Sequence, residues 1–187
     1  DLNSAFIFLS IILWLTYNLY LIITLSVIRI ITKGFIIKFI DLFAGIGGFR
    51  ISLELFHEEC VFSSEWDKYA QETYQHNFGE VPQGDITKID EKLIPDHDVL
   101  CGGFPCQAFS VSGKQAGFDD ARGTLFFDIA RIVKQKQPKI IFLENVKNLL
   151  RHDHGKTIKT VSEILASIGY KNSYIEILDS SHYGVPQ

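Results

Sequence analysis

An open, mostly parallel β-sheet with helices on both faces is the fold class this sequence predicts, and two observations predict it. Short apolar runs alternate with segments of helical period between residues 38 and 187, the order expected of successive βαβ units. The runs are also apolar throughout rather than at every second residue, which marks strands buried on both faces.

Residues 38–43 form the first such run, closed by Gly45, Gly47 and Gly48, so a buried strand feeds a tight turn. Ile51, Leu53, Leu55 and Phe56 continue as a helix. Residues 60–65 read as a second strand, after which Asp67 is placed to cap a helix through Tyr69, Ala70 and Tyr74. Residues 98–101 are a strand ending in Gly102 and Gly103, residues 125–136 a helix, and residues 139–144 a strand behind Pro138. An amphipathic helix over 157–168 stops at Gly169, and residues 173–178 complete the series as a strand.

The first 37 residues differ in kind. From Leu2 to Ile28 there are 27 consecutive residues without Asp, Glu, Lys or Arg, enough to cross a hydrocarbon core of about 30 Å as a helix. Arg29, Lys33 and Lys38 follow, and the positive-inside rule then leaves the remainder in the cytoplasm. Two readings follow: a membrane helix over about 5–28, or translated sequence upstream of the true start, in keeping with the AT-rich codon bias of Ile, Phe, Leu, Tyr and Asn. The second is preferred, because the chain has no Met and begins at Asp1, as a partial chain would.

Composition narrows the function. The chain has 187 residues, 47% hydrophobic and 21% charged, with net charge −4. Disordered and histone-like classes are excluded. Residues 1–40 carry +2, so the globular part carries −6 and shows no electrostatic footprint for nucleic acid. Three cysteines, Cys60, Cys101 and Cys106, suit a reducing compartment. No Cys-x-x-Cys or His-x-x-x-His spacing exists to build a zinc site, so no metal is expected.

In parallel sheets ligands bind beyond the carboxyl ends of the strands, which directs attention to Gly45, Gly47, Gly48, Glu65, Asp85, Pro105, Cys106 and Glu144. The glycine turn admits close backbone approach, but Arg50 stands where a dinucleotide fingerprint needs its third glycine. Glu65 sits where an acid accepts from ribose hydroxyls. Cys106 lies in a loop after Pro105, and a free cysteine is more often a small buried hydrophobe than a nucleophile. Glu144 ends an apolar strand, either as a polar terminus or as an acid set against a substrate.

Together the motifs Asp41-Leu42-Phe43-Ala44-Gly45-Ile46-Gly47-Gly48-Phe49-Arg50, Ser64-Glu65-Trp66-Asp67, Gly84-Asp85-Ile86-Thr87, Gly103-Phe104-Pro105-Cys106-Gln107-Ala108-Phe109-Ser110 and Glu144-Asn145-Val146 closely resemble those of DNA cytosine-5 methyltransferases of the bacterial HhaI type. The resemblance covers about residues 38–187. It implies a class I S-adenosylmethionine-dependent, Rossmann-like fold, in which Phe43, Gly45, Gly47 and Gly48 hold S-adenosylmethionine. Glu65 takes its ribose, Trp66 packs on its adenine, Asp85 with Ile86 reads the adenine edge, and Pro105 and Leu125 complete the pocket. It further implies that Cys106 is the nucleophile and Glu144 its acid partner. Gln107, Ser110, Ser112, Arg122 and Asn145 are then the DNA-contacting residues, in part on a glycine-rich loop that closes over the duplex.

The same resemblance implies a monomer in the bacterial cytoplasm. It acts on double-stranded DNA with the target cytosine flipped out, commonly beside a cognate restriction endonuclease. In the family, paired arginines, a target-recognition domain and a returning segment follow the Gly-x-Pro-Gln motif with which this chain ends. The fragment is therefore expected to be weakly active or inactive. The alternatives are a transfer-RNA cytosine-5 methyltransferase and a non-catalytic S-adenosylmethionine-binding remnant. A thiol hydrolase accounts for Cys106 but not for Glu65, Trp66 and Asp85, and a membrane sensor requires a genuine span over residues 5–28.

Overall fold

The structure is a computed structural model that describes residues 6–11, 36–105 and 125–183. Its strands are β1 (Phe6–Ile11), β2 (Lys38–Leu42), β3 (Glu59–Ser64), β4 (Val99–Gly103), β5 (Ile140–Glu144) and β6 (Asn172–Ile177). The helices are α1 (Gly48–Glu54), α2 (Lys68–Phe78), α3 (Leu125–Lys136) and α4 (Lys156–Ser167). One sheet runs β3-β2-β4-β5-β1-β6, every adjacent pair parallel.

Strand alternation sorts the core into two layers. Ile40, Leu42, Leu100, Ile141 and Leu143 pack with Phe126, Ile129 and Val133 of α3 and with Val161 and Leu165 of α4. The intervening Phe39, Val99, Cys101 and Phe142 pack with Phe49 and Leu53 of α1. Because both faces of β2, β4 and β5 are covered, their sequences read as continuous apolar runs. Burying each of these aliphatic or aromatic side chains stabilises the fold by about 1.5–3 kcal/mol. At the strands' amino ends Asp98 locks the register: its amide donates to Lys38 O (2.8 Å), its carbonyl accepts from Lys139 N (2.8 Å), and its carboxylate accepts from Lys38 N (3.1 Å).

One reading of the amino-terminal segment is corrected. The less favoured reading of the apolar segment, a membrane helix over about 5–28, fails at its start: Phe6–Ile11 is a strand, pairing Phe6 with Ile140 on one side and with Asn172 on the other. A short run rich in Phe, Ile and Leu suits a helix or a doubly buried strand equally. Here the backbone donors and acceptors of β5 and β6 decide for the strand, since they take it as a shared neighbour. Residues 12–35 lie outside the described residues, and among the described ones no helix is long and apolar enough to cross a membrane. At the sheet's edge β6 is exposed along its whole length, with Ile175 and Ile177 open.

Candidate active site

The carboxyl end of β2 turns sharply. Phe43 and Gly45 both adopt left-handed backbone (φ 57° and 55°), as does Gly47 (φ 95°), the residue that starts α1. Such angles favour glycine at 45 and 47 and strain Phe43. The Ala44 amide donates to Ser64 O (2.9 Å), tying the turn to the end of β3.

Glu65 follows β3 and is almost fully buried. Its Oε2 accepts from the Gly45 amide (2.8 Å) and its Oε1 from the Asp67 amide (2.8 Å), while Gln71 Nε2 donates to its carbonyl (2.5 Å). Asp67 in turn caps α2, accepting from Ala70 N (2.8 Å). This cage fixes the carboxylate beside the glycine turn and leaves lone pairs for further donors. Trp66, next in sequence, is 73% exposed, an unpacked aromatic face at the rim.

Asp85 sits at the start of a single helical turn, its Oδ1 accepting from Thr87 N (3.0 Å) and Thr87 Oγ1 (2.7 Å). The Thr87 hydroxyl is the main cause that holds the Asp85 carboxyl below its ordinary range. Ile86 places its side chain in the core, so only its backbone can meet a ligand. Leu125 begins α3, half-buried.

On the other side of β4, Glu144 ends β5 in register with Gly103. Its Oε2 lies 3.2 Å from where a Cβ on Gly103 would stand. Burial pushes its carboxyl up to about 7, and among the described residues no hydrogen bond reaches it. Asn145, expected at the DNA surface, is 2% exposed. Its Nδ2 donates to Phe104 O (2.6 Å) and its Oδ1 accepts from Val146 N (2.9 Å). Both polar ends of the amide are satisfied within the fold, so its direct role is to tie the end of β5 to the segment entering exposed Pro105. Cys106, Gln107, Ser110, Ser112 and Arg122 lie outside the described residues.

The structure therefore brings Phe43, Gly45, Gly47, Gly48 and Glu65 together at the ends of β2 and β3, and sets Glu144 beside Gly103 across the sheet. Sequence reasoning missed the residues behind them. Asn77 donates to Ile46 O (3.1 Å), and Arg131 donates to Ile86 O (2.5 Å) and Ile89 O (2.9 Å). The helices carrying them were legible, the first through its Asp67 cap. Which carbonyl each side chain would reach was not.

Residues 37–187 match the C-5 cytosine-specific DNA methylase family. The chain belongs to that family. Among its relatives, the type II methyltransferase M.HhaI of Haemophilus parahaemolyticus is 60% identical over 151 residues, covering 81% of this chain and 46% of the relative. M.HpaII of Haemophilus parainfluenzae is 55% identical over 152 residues, covering 80% and 42%. The chain thus spans less than half the length of these relatives. In solved structures the fold resembles the S. pombe Dnmt2 methyltransferase, with a TM-score of 0.52, 22% identity, and 68% of this chain and 41% of that one covered. It also resembles a putative DNA modification methyltransferase encoded within an E. coli prophage, with a TM-score of 0.55, 24% identity, and 70% and 38% covered. The sheet with its flanking helices is accordingly the Rossmann-like arrangement of the class I methyltransferases.

Proposed function

We propose that residues 38–187 are the cofactor-binding and catalytic part of a DNA (cytosine-5-)-methyltransferase, using S-adenosylmethionine and acting on cytosine in a specific duplex sequence. Glu144 carries this reading: a carboxyl pushed up to about 7 at the end of a parallel strand, half-protonated at neutral pH, as acid catalysis requires.

The residues present fit S-adenosylmethionine. A Cβ on Gly45 or Gly48 would meet nothing within 4 Å, so there is room for a ligand against the turn. Trp66 supplies a free face for a planar base, and Glu65 is an acceptor for ribose hydroxyls. Asp85 and the backbone of Ile86 then meet the adenine edge, with Phe43, Pro105 and Leu125 lining the pocket. When bound, S-adenosylmethionine supplies the methyl group.

The cytosine ring is too electron-poor at carbon 5 to accept a methyl group directly. Cys106, the nucleophile by family resemblance, adds its thiolate to carbon 6, and the electron pair released makes carbon 5 nucleophilic. Glu144 donates a hydrogen bond or proton to ring N3 and so offsets the charge that develops there. After transfer, loss of the carbon-5 proton expels the thiolate. A base within a duplex cannot reach a thiol, so the cytosine must be flipped out, at a cost of a few kcal/mol. Gln107, Ser110, Ser112 and Arg122 are assigned to the DNA side, in a monomeric bacterial enzyme of a restriction–modification system.

Tritiated methyl transfer to duplex DNA and to transfer RNA separates the proposed substrate from its nearest rival. DNA carrying 5-fluorocytosine, supplied with cofactor, is expected to trap a covalent complex with a full-length form. Trapping that survives Cys106→Ala refutes the assigned nucleophile, and failure of the chain to bind S-adenosylmethionine in isothermal titration refutes the cofactor.

A further inference from the structure

Behind the glycine turn, the carboxyl-terminal end of α2 is built against it. Asn77 donates to Ile46 O (3.1 Å), and the Phe78 ring occupies the space that a Cβ on Gly47 would take. Arg50 lies 4.5 Å over that ring. It also donates to Tyr74 OH (3.0 Å) and pairs with Glu54 (2.6 Å) and Glu80. The residue at the place of the missing third glycine thus fastens α1 to α2 through a planar fork and a cation–π contact.

Behind the segment that begins at Asp85, a different arginine does the same for another wall. Arg131 of α3 donates to Ile86 O (2.5 Å), Ile89 O (2.9 Å), Glu91 Oε2 (2.7 Å) and Asp128 Oδ1 (2.9 Å). It gives Ile86 O, which already accepts from Ile89 N (3.2 Å), a second donor, and it reaches the carbonyl of the residue that closes the turn, Ile89. The two sets share no residue.

We propose that these are two independent braces of the S-adenosylmethionine cleft, with Asn77, Phe78 and Arg50 positioning the turn that receives the amino-acid arm and Arg131 positioning the segment that receives adenine. The proposal rests on the cofactor assignment above. With ribose and adenine given to Glu65, Trp66, Asp85 and Ile86, the 45–48 turn is left with the arm. Adenosine, which lacks that arm, therefore feels the first brace only indirectly, through the Gly45–Glu65 hydrogen bond, whereas S-adenosylhomocysteine depends on both directly.

Isothermal titration of the 187-residue chain with both ligands tests this. Asn77→Leu, at an exposed position, and Phe78→Leu are expected to weaken S-adenosylhomocysteine about ten-fold, the scale of one lost hydrogen bond, while adenosine changes less than about two-fold. Arg131→Gln, and the milder Glu91→Gln, are expected to weaken both ligands by the same factor. The Asn77→Leu and Arg131→Gln effects on S-adenosylhomocysteine should add in the double variant, as for uncoupled sites. Equal loss of both ligands in Asn77→Leu and Phe78→Leu, or no loss in any variant, overturns the braces alone. An unsubstituted chain that binds neither ligand overturns the cofactor assignment, and the braces with it.

Discussion

Glu65 and Glu144 hold corresponding places, each a carboxylate at the carboxyl end of a parallel strand, yet their surroundings are opposite. Glu65 is clasped by two backbone amides at 2.8 Å. Glu144 has no hydrogen-bond partner among the described residues, and burial alone pushes it up to about 7. The first environment suits a fixed acceptor and the second a proton donor near neutral pH. The carboxyl ends of one sheet thus give the same residue type two opposite environments, matching the binding and acid roles proposed for them.

The largest expected effect breaks the first of these. Glu65→Ala removes the acceptor for the Gly45 and Asp67 amides, so the turn and the start of α2 lose their common anchor. Stability should fall by on the order of 3 kcal/mol in denaturant melts, and S-adenosylmethionine binding should become undetectable. A variant that keeps wild-type affinity would remove Glu65 from the site.

Glu144→Gln should act in the other direction. A carboxyl whose folded-state value is raised contributes stability that is fully present below about 4.5 and lost as pH rises through about 7. At pH 8 the glutamine variant should therefore be more stable than the wild type, by up to about 3 kcal/mol, with the two converging near pH 4.5. Cofactor affinity should stay within about two-fold. Equal stabilities at both pH values would mean that Glu144 is not held in a desolvated place.

A smaller change sharpens the same point. Gly103→Ala sets a methyl group 3.2 Å from Glu144 Oε2, tight enough to push the carboxylate aside. A loss of about 1 kcal/mol is expected, larger at pH 8 than at pH 5 because the ionised form tolerates crowding least. The gentlest test alters no residue. Burial pushes the Cys60 thiol up to about 12 and raises Cys101 well above its ordinary range. Iodoacetamide at pH 8 should label Cys106 before either, as peptide mapping will read.

Much of the scaffold was legible because its signals are local. The Asp67 cap, the glycines after β2 and the apolar run ending at Glu144 are each specified by a few adjacent residues, and the elements they predict are present. The family motifs likewise sit at strand ends, where adjacency in sequence survives in space. The segment at Phe6–Ile11 was misread because its apolar pattern is common to two structures.

The sequence by itself determined the order of strands and helices from residue 38 onward and the kinds of group available beyond the strand ends. It could not determine what each group touches. That Asn145 turns inward to Phe104, that Asn77 reaches back 31 residues to Ile46, and that Arg131 reaches 45 residues to Ile86 are facts of strand order and helix docking. Tertiary structure likewise raised the Glu144 carboxyl, because a carboxyl's proton affinity follows from the water it has lost. Desolvation is produced by the packing of β4 against β5, elements that meet only once the sheet has formed.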